Sequence, residues 1–159
     1  MEKYDTDLEA RVWERLRGGS AAASAPPQDA QTLLAMINER WSDAATYHQL
    51  SKRLSGNAGA TLKKLSAEEQ ANVACLRGIY TLITGQKASL SPPPVSREPA
   101  DRILRRCYGR EIRCLAGFEA RTAHPEYGAV FARLAEQKRE HCMLLLQLIG
   151  TMEQSEKGK

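Results

Sequence analysis

The chain has 159 residues, 42% of them hydrophobic and 26% charged, the composition of one globular domain with enough apolar side chains for a core. No apolar run approaches the roughly 20 residues that cross a bilayer, and the N-terminus (Met1, Glu2, Lys3, Tyr4, Asp5) is acidic and polar, so the expectation is a cytoplasmic chain with no membrane contact. The formal charge of +4 admits nucleic acid, with Arg102, Arg105, Arg106, Arg110 and Arg113 as the best cluster. Asp101 and Glu111 interleave that cluster and no aromatic platform accompanies it, which favours a solvated face or a partner surface.

Residues 5–17 place Leu8, Val12 and Leu16 four apart among charges, predicting a short amphipathic helix that docks on the rest of the chain or on a protein partner. Gly18-Gly19 ends it, and the small, proline-bearing stretch 20–28 reads as a flexible linker, so 1–28 forms one unit. Asp29 is a candidate N-cap for a helix to about Leu54, with Leu33, Leu34, Ile37, Trp41, Ala44, Ala45 and Leu50 on its apolar face. Ser55-Gly56-Asn57 makes the turn. A second helix from about Ala58 to Thr84 follows on Leu62, Leu65, Leu76, Ile79 and Ile83, with Gly85 at its C-terminal cap.

Residues 86–99 hold four prolines and predict a long crossover rather than a hairpin. A third helix is expected from about Asp101 to Ala123, and a fourth from Pro125, as its first helical residue, to about Glu153, leaving 154–159 as a disordered tail. The fold class is all-α: four helices over 29–153. The four cysteines include no C-x-x-C pair, so they read as reduced core thiols rather than a zinc or rubredoxin-type centre.

The two halves look duplicated. Glu39-x4-Ala44-Ala45 aligns with Glu111-x4-Ala116-Gly117, and Ala60-x4-Leu65 with Ala129-x4-Leu134. On the second helix Leu65, Glu69, Asn72, Leu76 and Ile79 share one stripe, and on the fourth Leu134, Lys138, His141, Leu145 and Leu148 do. Each hairpin therefore aims two polar side chains, three residues apart, at the core, and Glu39 and Glu111 are expected to do the same. Burying such groups costs several kcal/mol apiece unless they are paired or bind metal. The competing reading treats Ser66-x-x-Glu69 as a capping box, which would put Glu69 at a helix start.

One Glu from each of two helices, plus Glu-x-x-His from each of the other two, is the dinuclear carboxylate pattern of ferritin-like bundles. The segments DAATYHQLSKRL, LRGIYTLITG and PEYGAVFARLAEQKREHCMLLLQLIG resemble the rubrerythrin-type members of that superfamily over roughly 30–150. The resemblance implies a ferritin-like four-helix bundle, a homodimer, and metal ligands at Glu39, Glu69, Glu111 and His141. Asp43, Tyr47 and Glu119 become candidates for supporting those ligands.

Two ligand positions depart from the pattern: Asn72 stands where a histidine belongs, and Lys138 where a bridging glutamate does. A protonated ammonium cannot coordinate, and Glu39, Glu69, Glu111 and Lys138 together sum to −2, too little to balance two ferrous ions. The expected occupancy is no metal or one divalent ion, iron or manganese, ahead of two irons. Three functions follow: a non-enzymatic interaction or scaffold module; an iron-handling redox protein with peroxidase or ferroxidase chemistry; or a basic surface that binds nucleic acid or acidic partners.

Overall fold

The computed structural model describes residues 28–93 and 95–158. The helix expected over 5–17 and the linker over 20–28 lie outside these residues, apart from Gln28. Four helices follow: α1 (Gln28–Arg53), α2 (Gly56–Thr84), α3 (Ala100–Glu119) and α4 (Gly128–Lys157). Among the described residues there is no strand, and no helix is long and apolar enough to cross a membrane.

Local chemistry sets the helix ends. Asp29 in the first turn of α1 and Lys52 and Arg53 in its last complement the helix dipole. Gly85 closes α2 in the left-handed region at φ 71°, its N–H donating to the Thr81 carbonyl at 2.8 Å. The expected start of the fourth helix at Pro125 is wrong. His124 Nδ1 accepts the backbone N–H groups of Glu126 and Tyr127 at 3.1 Å each, which holds a turn there and delays α4 to Gly128. Residues 154–157, expected in a disordered tail, continue α4, and α3 stops at Glu119 rather than Ala123.

α1 packs along α2 and α3 along α4, and the two hairpins meet chiefly through α2 against α4 and α1 against α3. Two separate apolar clusters form. One gathers Leu33 and Ile37 of α1, Val73 and Ile79 of α2, Phe118 of α3 and Phe131 of α4. The other gathers Tyr47 and Leu50, Leu62 and Leu65, Ile103 and Leu104, and Leu145 and Leu148. Thus α1 and α4 run from the first cluster to the second, and α2 and α3 run the opposite way.

That direction pattern requires the α2–α3 connection to travel the length of the molecule, and it does so along α1. Asn38 donates to the Ser89 carbonyl and accepts the Ser91 N–H, and Arg53, at the far end of α1, donates to the Glu98 carbonyl. Between the two clusters lies a layer of buried polar side chains.

Candidate functional site

The polar layer follows from helix phase. Leu33, Ile37, Ala44 and Tyr47 define the buried stripe of α1, and Arg40 falls on it. Glu39, about 100° around the helix from Arg40, points outward with 58% of its side chain exposed. Glu39 is therefore not a core ligand, and the expected inward acid is replaced by a fully buried arginine.

The repeat explains the displacement. Along α2 and α4 the equivalences Leu65/Leu134, Glu69/Lys138, Asn72/His141 and Leu76/Leu145 hold as expected, all buried. Gly59 and Gly128 are equivalent too: a Cβ at either would stand 2.3 Å from a backbone carbonyl oxygen, of Leu54 and Thr122 respectively. Along α1 and α3, burial pairs Leu33 with Leu104, Met36 with Cys107, and Tyr47 with Phe118. That register is one residue away from the one read in the sequence, and it makes Arg40, not Glu39, the counterpart of Glu111.

Arg40, Glu69, Glu111 and Lys138 close a ring in which cation and carboxylate alternate. Arg40 Nη1 lies 3.3 Å from Glu111 Oε2 and 3.8 Å from Glu69 Oε1, and Lys138 Nζ lies 3.0 Å from Glu111 Oε2 and in contact with Glu69 Oε1. All four side chains are fully buried. Glu69 sits mid-helix, since α2 begins at Gly56, so the capping-box reading fails. Ser66 instead donates to the Ala44 carbonyl at 2.7 Å.

Around the ring, Tyr47 donates to Glu111 Oε1 at 2.7 Å, and Asp43 Oδ2 lies 2.9 Å from Arg40 Nη2 while its Oδ1 accepts from Arg110 Nε at 2.7 Å. Tyr47 thus contacts one of the expected ligand residues, Glu111, whereas Asp43 contacts Arg40 and Arg110 and none of the expected ligands. Glu119 does not take a supporting position: it pairs with Arg139 at 2.5 Å on the exposed surface. His141 has a carboxylate at each ring nitrogen, Glu69 Oε1 at 3.0 Å from Nδ1 and Glu68 Oε2 at 2.8 Å from Nε2. Asn72 is buried but stands apart, donating to Gln137 Oε1 at 2.7 Å.

The electrostatics follow from burial and neighbours. Burial pushes the Lys138 ammonium well below its ordinary range, and the charge of Arg40 acts in the same direction. Burial would raise the Glu111 carboxyl, but the His141 imidazole, whose Nδ1 lies 3.8 Å from Oε1, the charge of Arg40 and the hydrogen bond from Tyr47 outweigh that and hold it below the usual value. Burial raises Asp43 and, more strongly, Tyr47, which keeps the phenol protonated as a donor to Glu111. Cys107 and Cys114, which flank Glu111 on α3, are pushed up to about 12 by burial and are inert thiols. All four cysteines are free; Cys75 is partly exposed and the others buried.

Glu69, Glu111 and His141 each offer a ligand atom, and these lie within 4.8 Å of one another, so the group could hold a metal ion. A dinuclear centre does not fit the residues present. Lys138 Nζ occupies the space between the two carboxylates, and Arg40 already neutralises the same pair. Three of the arginines considered for nucleic acid are paired with acids: Arg105 with Glu153, Arg106 with Glu98, and Arg110 with Asp43.

Sequence reasoning missed Arg40 and Glu68. The spacing of Arg40 from Ile37, Ala44 and Tyr47 carried the signal, but the acidic residue beside it competed for the inward position. Compared with family models, curated proteins and solved structures, the chain matches none.

Proposed function

We infer that this chain is a ferritin-like, rubrerythrin-type four-helix bundle in which an ion-pair ring has taken the place of the dinuclear metal centre, and that it acts as a non-enzymatic interaction or scaffold module. One observation carries this reading: Arg40 and Lys138 alternate with Glu69 and Glu111 in a closed, fully buried ring. Two carboxylates and two cations sum to zero, which leaves no net charge for divalent ions to balance. The opposed helix directions and the long crossover along α1 support the ferritin-like assignment. With three of six ligand positions altered (Arg40, Asn72 and Lys138), the departure is deeper than the sequence implied.

An interaction role has support on the outer face of α3 and α4. Ile112, Met143 and Leu146 are large apolar side chains exposed to solvent. In sequence Ile112 falls between Arg105 and Glu119 on α3, and Met143 and Leu146 between Arg139 and Glu153 on α4, and a second copy of this chain is the proposed occupant of the exposed apolar residues.

A second reading, one divalent ion on Glu69, Glu111 and His141, is favoured by a specific atom: Glu69 Oε2 is buried without a hydrogen-bond partner. Such an ion would have to displace the Lys138 ammonium from the shared carboxylate oxygens. The test is elemental analysis of untagged protein offered ferrous iron, manganese and zinc without oxygen. Less than about 0.1 ion per chain at micromolar free metal is expected. About one would establish the mononuclear site, and about two would overturn the ring as a replacement for metal.

A further inference from the structure

A second cavity lies outside the ring, between the C-terminal half of α1 and the N-terminal half of α3, with Ser96 of the connection in its lining. It is a cavity of about 210 Å³ whose lining residues include Arg53, Arg106 and Arg110 and the hydroxyl residues Ser42, Thr46 and Ser96, and include no carboxylate residue. We propose that this cavity binds a phosphoryl group, free phosphate or a small phosphomonoester, on the converging arginines.

Existing bonds orient the guanidiniums and leave them donors to spare. Arg110 uses Nε on Asp43 Oδ1 at 2.7 Å, and Arg53 uses Nη2 on the Glu98 carbonyl at 2.8 Å. Each guanidinium carries five N–H donors; Arg110 also places Nη2 on Asp43 Oδ1 at 2.5 Å and on Cys107 Sγ at 3.2 Å, which leaves it Nη1, whereas Arg53 keeps Nε and Nη1. Arg106 pairs with the Glu98 carboxylate at 2.6 Å, but both side chains are about half exposed, and an ion pair in that setting yields readily to a competing anion. Ser96 Oγ accepts the Glu98 N–H at 3.3 Å, which leaves its own O–H to donate toward a ligand.

Size and charge choose among anions. A carboxylate presents two oxygens to one guanidinium fork, whereas a phosphoryl group presents three or four oxygens and up to two charges, which suits three arginines. The cavity is smaller than the roughly 300–1,000 Å³ of sites for drug-sized ligands, so it holds the phosphoryl group with only a small substituent. Leu50 and Ile103 in its lining belong to the second apolar cluster and lower the local dielectric, which strengthens each charge-assisted bond.

The test is calorimetric titration of the full chain with inorganic phosphate in a chloride buffer free of sulfate, repeated with methyl phosphate. Saturable binding of one phosphate per chain is expected, weakened roughly tenfold for each guanidinium removed in Arg53→Gln and Arg106→Gln, with the helical melt of each variant checked alongside. Arg105→Gln/Arg139→Gln, which removes the same charge elsewhere, should leave the affinity unchanged. Tighter binding of methyl phosphate would identify an esterified ligand, and tighter inorganic phosphate a free oxyanion. Absence of saturation by about 10 mM of either probe, or weakening by Arg105→Gln/Arg139→Gln equal to that by Arg53→Gln combined with Arg106→Gln, would overturn the proposal.

Discussion

Replacing Lys138 by Met removes one cation from the ring while keeping the apolar length of the side chain. Lys138 Nζ is 3.0 Å from Glu111 Oε2 and in contact with Glu69, so at an effective dielectric near 20 the gross attraction is about 5 kcal/mol per pair. Desolvation of the ammonium opposes much of that, as the depressed Lys138 pKa shows. The larger consequence falls on the acids, which are left with Arg40 and His141 for two fully buried carboxylates. Breaking a buried pair in this way costs about 3–5 kcal/mol. For a chain of this length that is a fall in Tm of roughly 6–20 °C. Thermal and urea denaturation followed by helical circular dichroism at pH 7 would read it. Glu69→Gln added to Lys138→Met should recover at least about 1 kcal/mol, because it removes the stranded charge. A single-variant loss under about 1 kcal/mol, or a double variant no better than the single, would refute the ring as an energetic unit.

Restoring metal should take three changes rather than two. Asn72→His with Lys138→Glu keeps the Arg40 guanidinium 3.3 Å from Glu111 and should bind at most one ion, whereas adding Arg40→Glu should allow two, read by metal content and ultraviolet charge-transfer bands. Exchanging Arg40 and Glu111 alone sets like charges side by side at two ring edges and should lower Tm; exchanging Glu69 and Lys138 as well restores alternation and should recover most of the loss in the same melts. Glu111 is held below its ordinary 4.5 in the folded chain, so its stabilisation is complete above about pH 4.5 and is lost as pH falls below it. Stability curves between pH 6 and 3 should therefore be shallower for Glu111→Gln than for the parent. Glu39→Gln and Glu119→Gln, at exposed positions, should leave Tm within about 1 °C; a drop like that of Lys138→Met would return Glu39 to the core.

Much of this was legible in the chain because apolar spacing is a strong signal over long helices. Leu65, Glu69, Asn72 and Leu76, with Leu134, Lys138, His141 and Leu145, fixed which face of α2 and α4 points inward, and the structure buries all eight. On α1 the same logic failed, because Glu39 and Arg40 are adjacent, both charged, and both within one turn of Met36. Choosing the acid meant expecting a metal ligand; the phase of Ile37, Ala44 and Tyr47 chose the arginine. The start of α4 was misplaced for a different reason. Pro125 suits a first helical position, but the His124 imidazole captures the N–H groups that a helix there would leave free. Glu68 escaped notice because a partly exposed glutamate beside a buried one reads as solvated, and only the tertiary position of His141 Nε2 gives it a partner.

The arrangement of charge across the repeat also bears on why such a layer persists in a core that leucine could fill. Arg40 and Glu111 occupy equivalent positions in the two hairpins, as do Glu69 and Lys138, and in each pair the sign is reversed. Each hairpin thus contributes one cation and one carboxylate, on opposite helices. If the first hairpin packed against another first hairpin in the same geometry, Arg40 would face Arg40 and Glu69 would face Glu69, two like-charge contacts in a dry interior. The second hairpin has the same problem with Glu111 and Lys138. Only a first hairpin against a second closes the ring, so the layer selects the pairing at some expense of stability, as buried polar residues do when they fix register in coiled coils. A symmetric metal site cannot discriminate in this way, because its ligands are alike in both halves. The reversal of sign across the repeat therefore does what like ligands in both halves could not: it makes a ring of side chains that holds only unlike hairpins together.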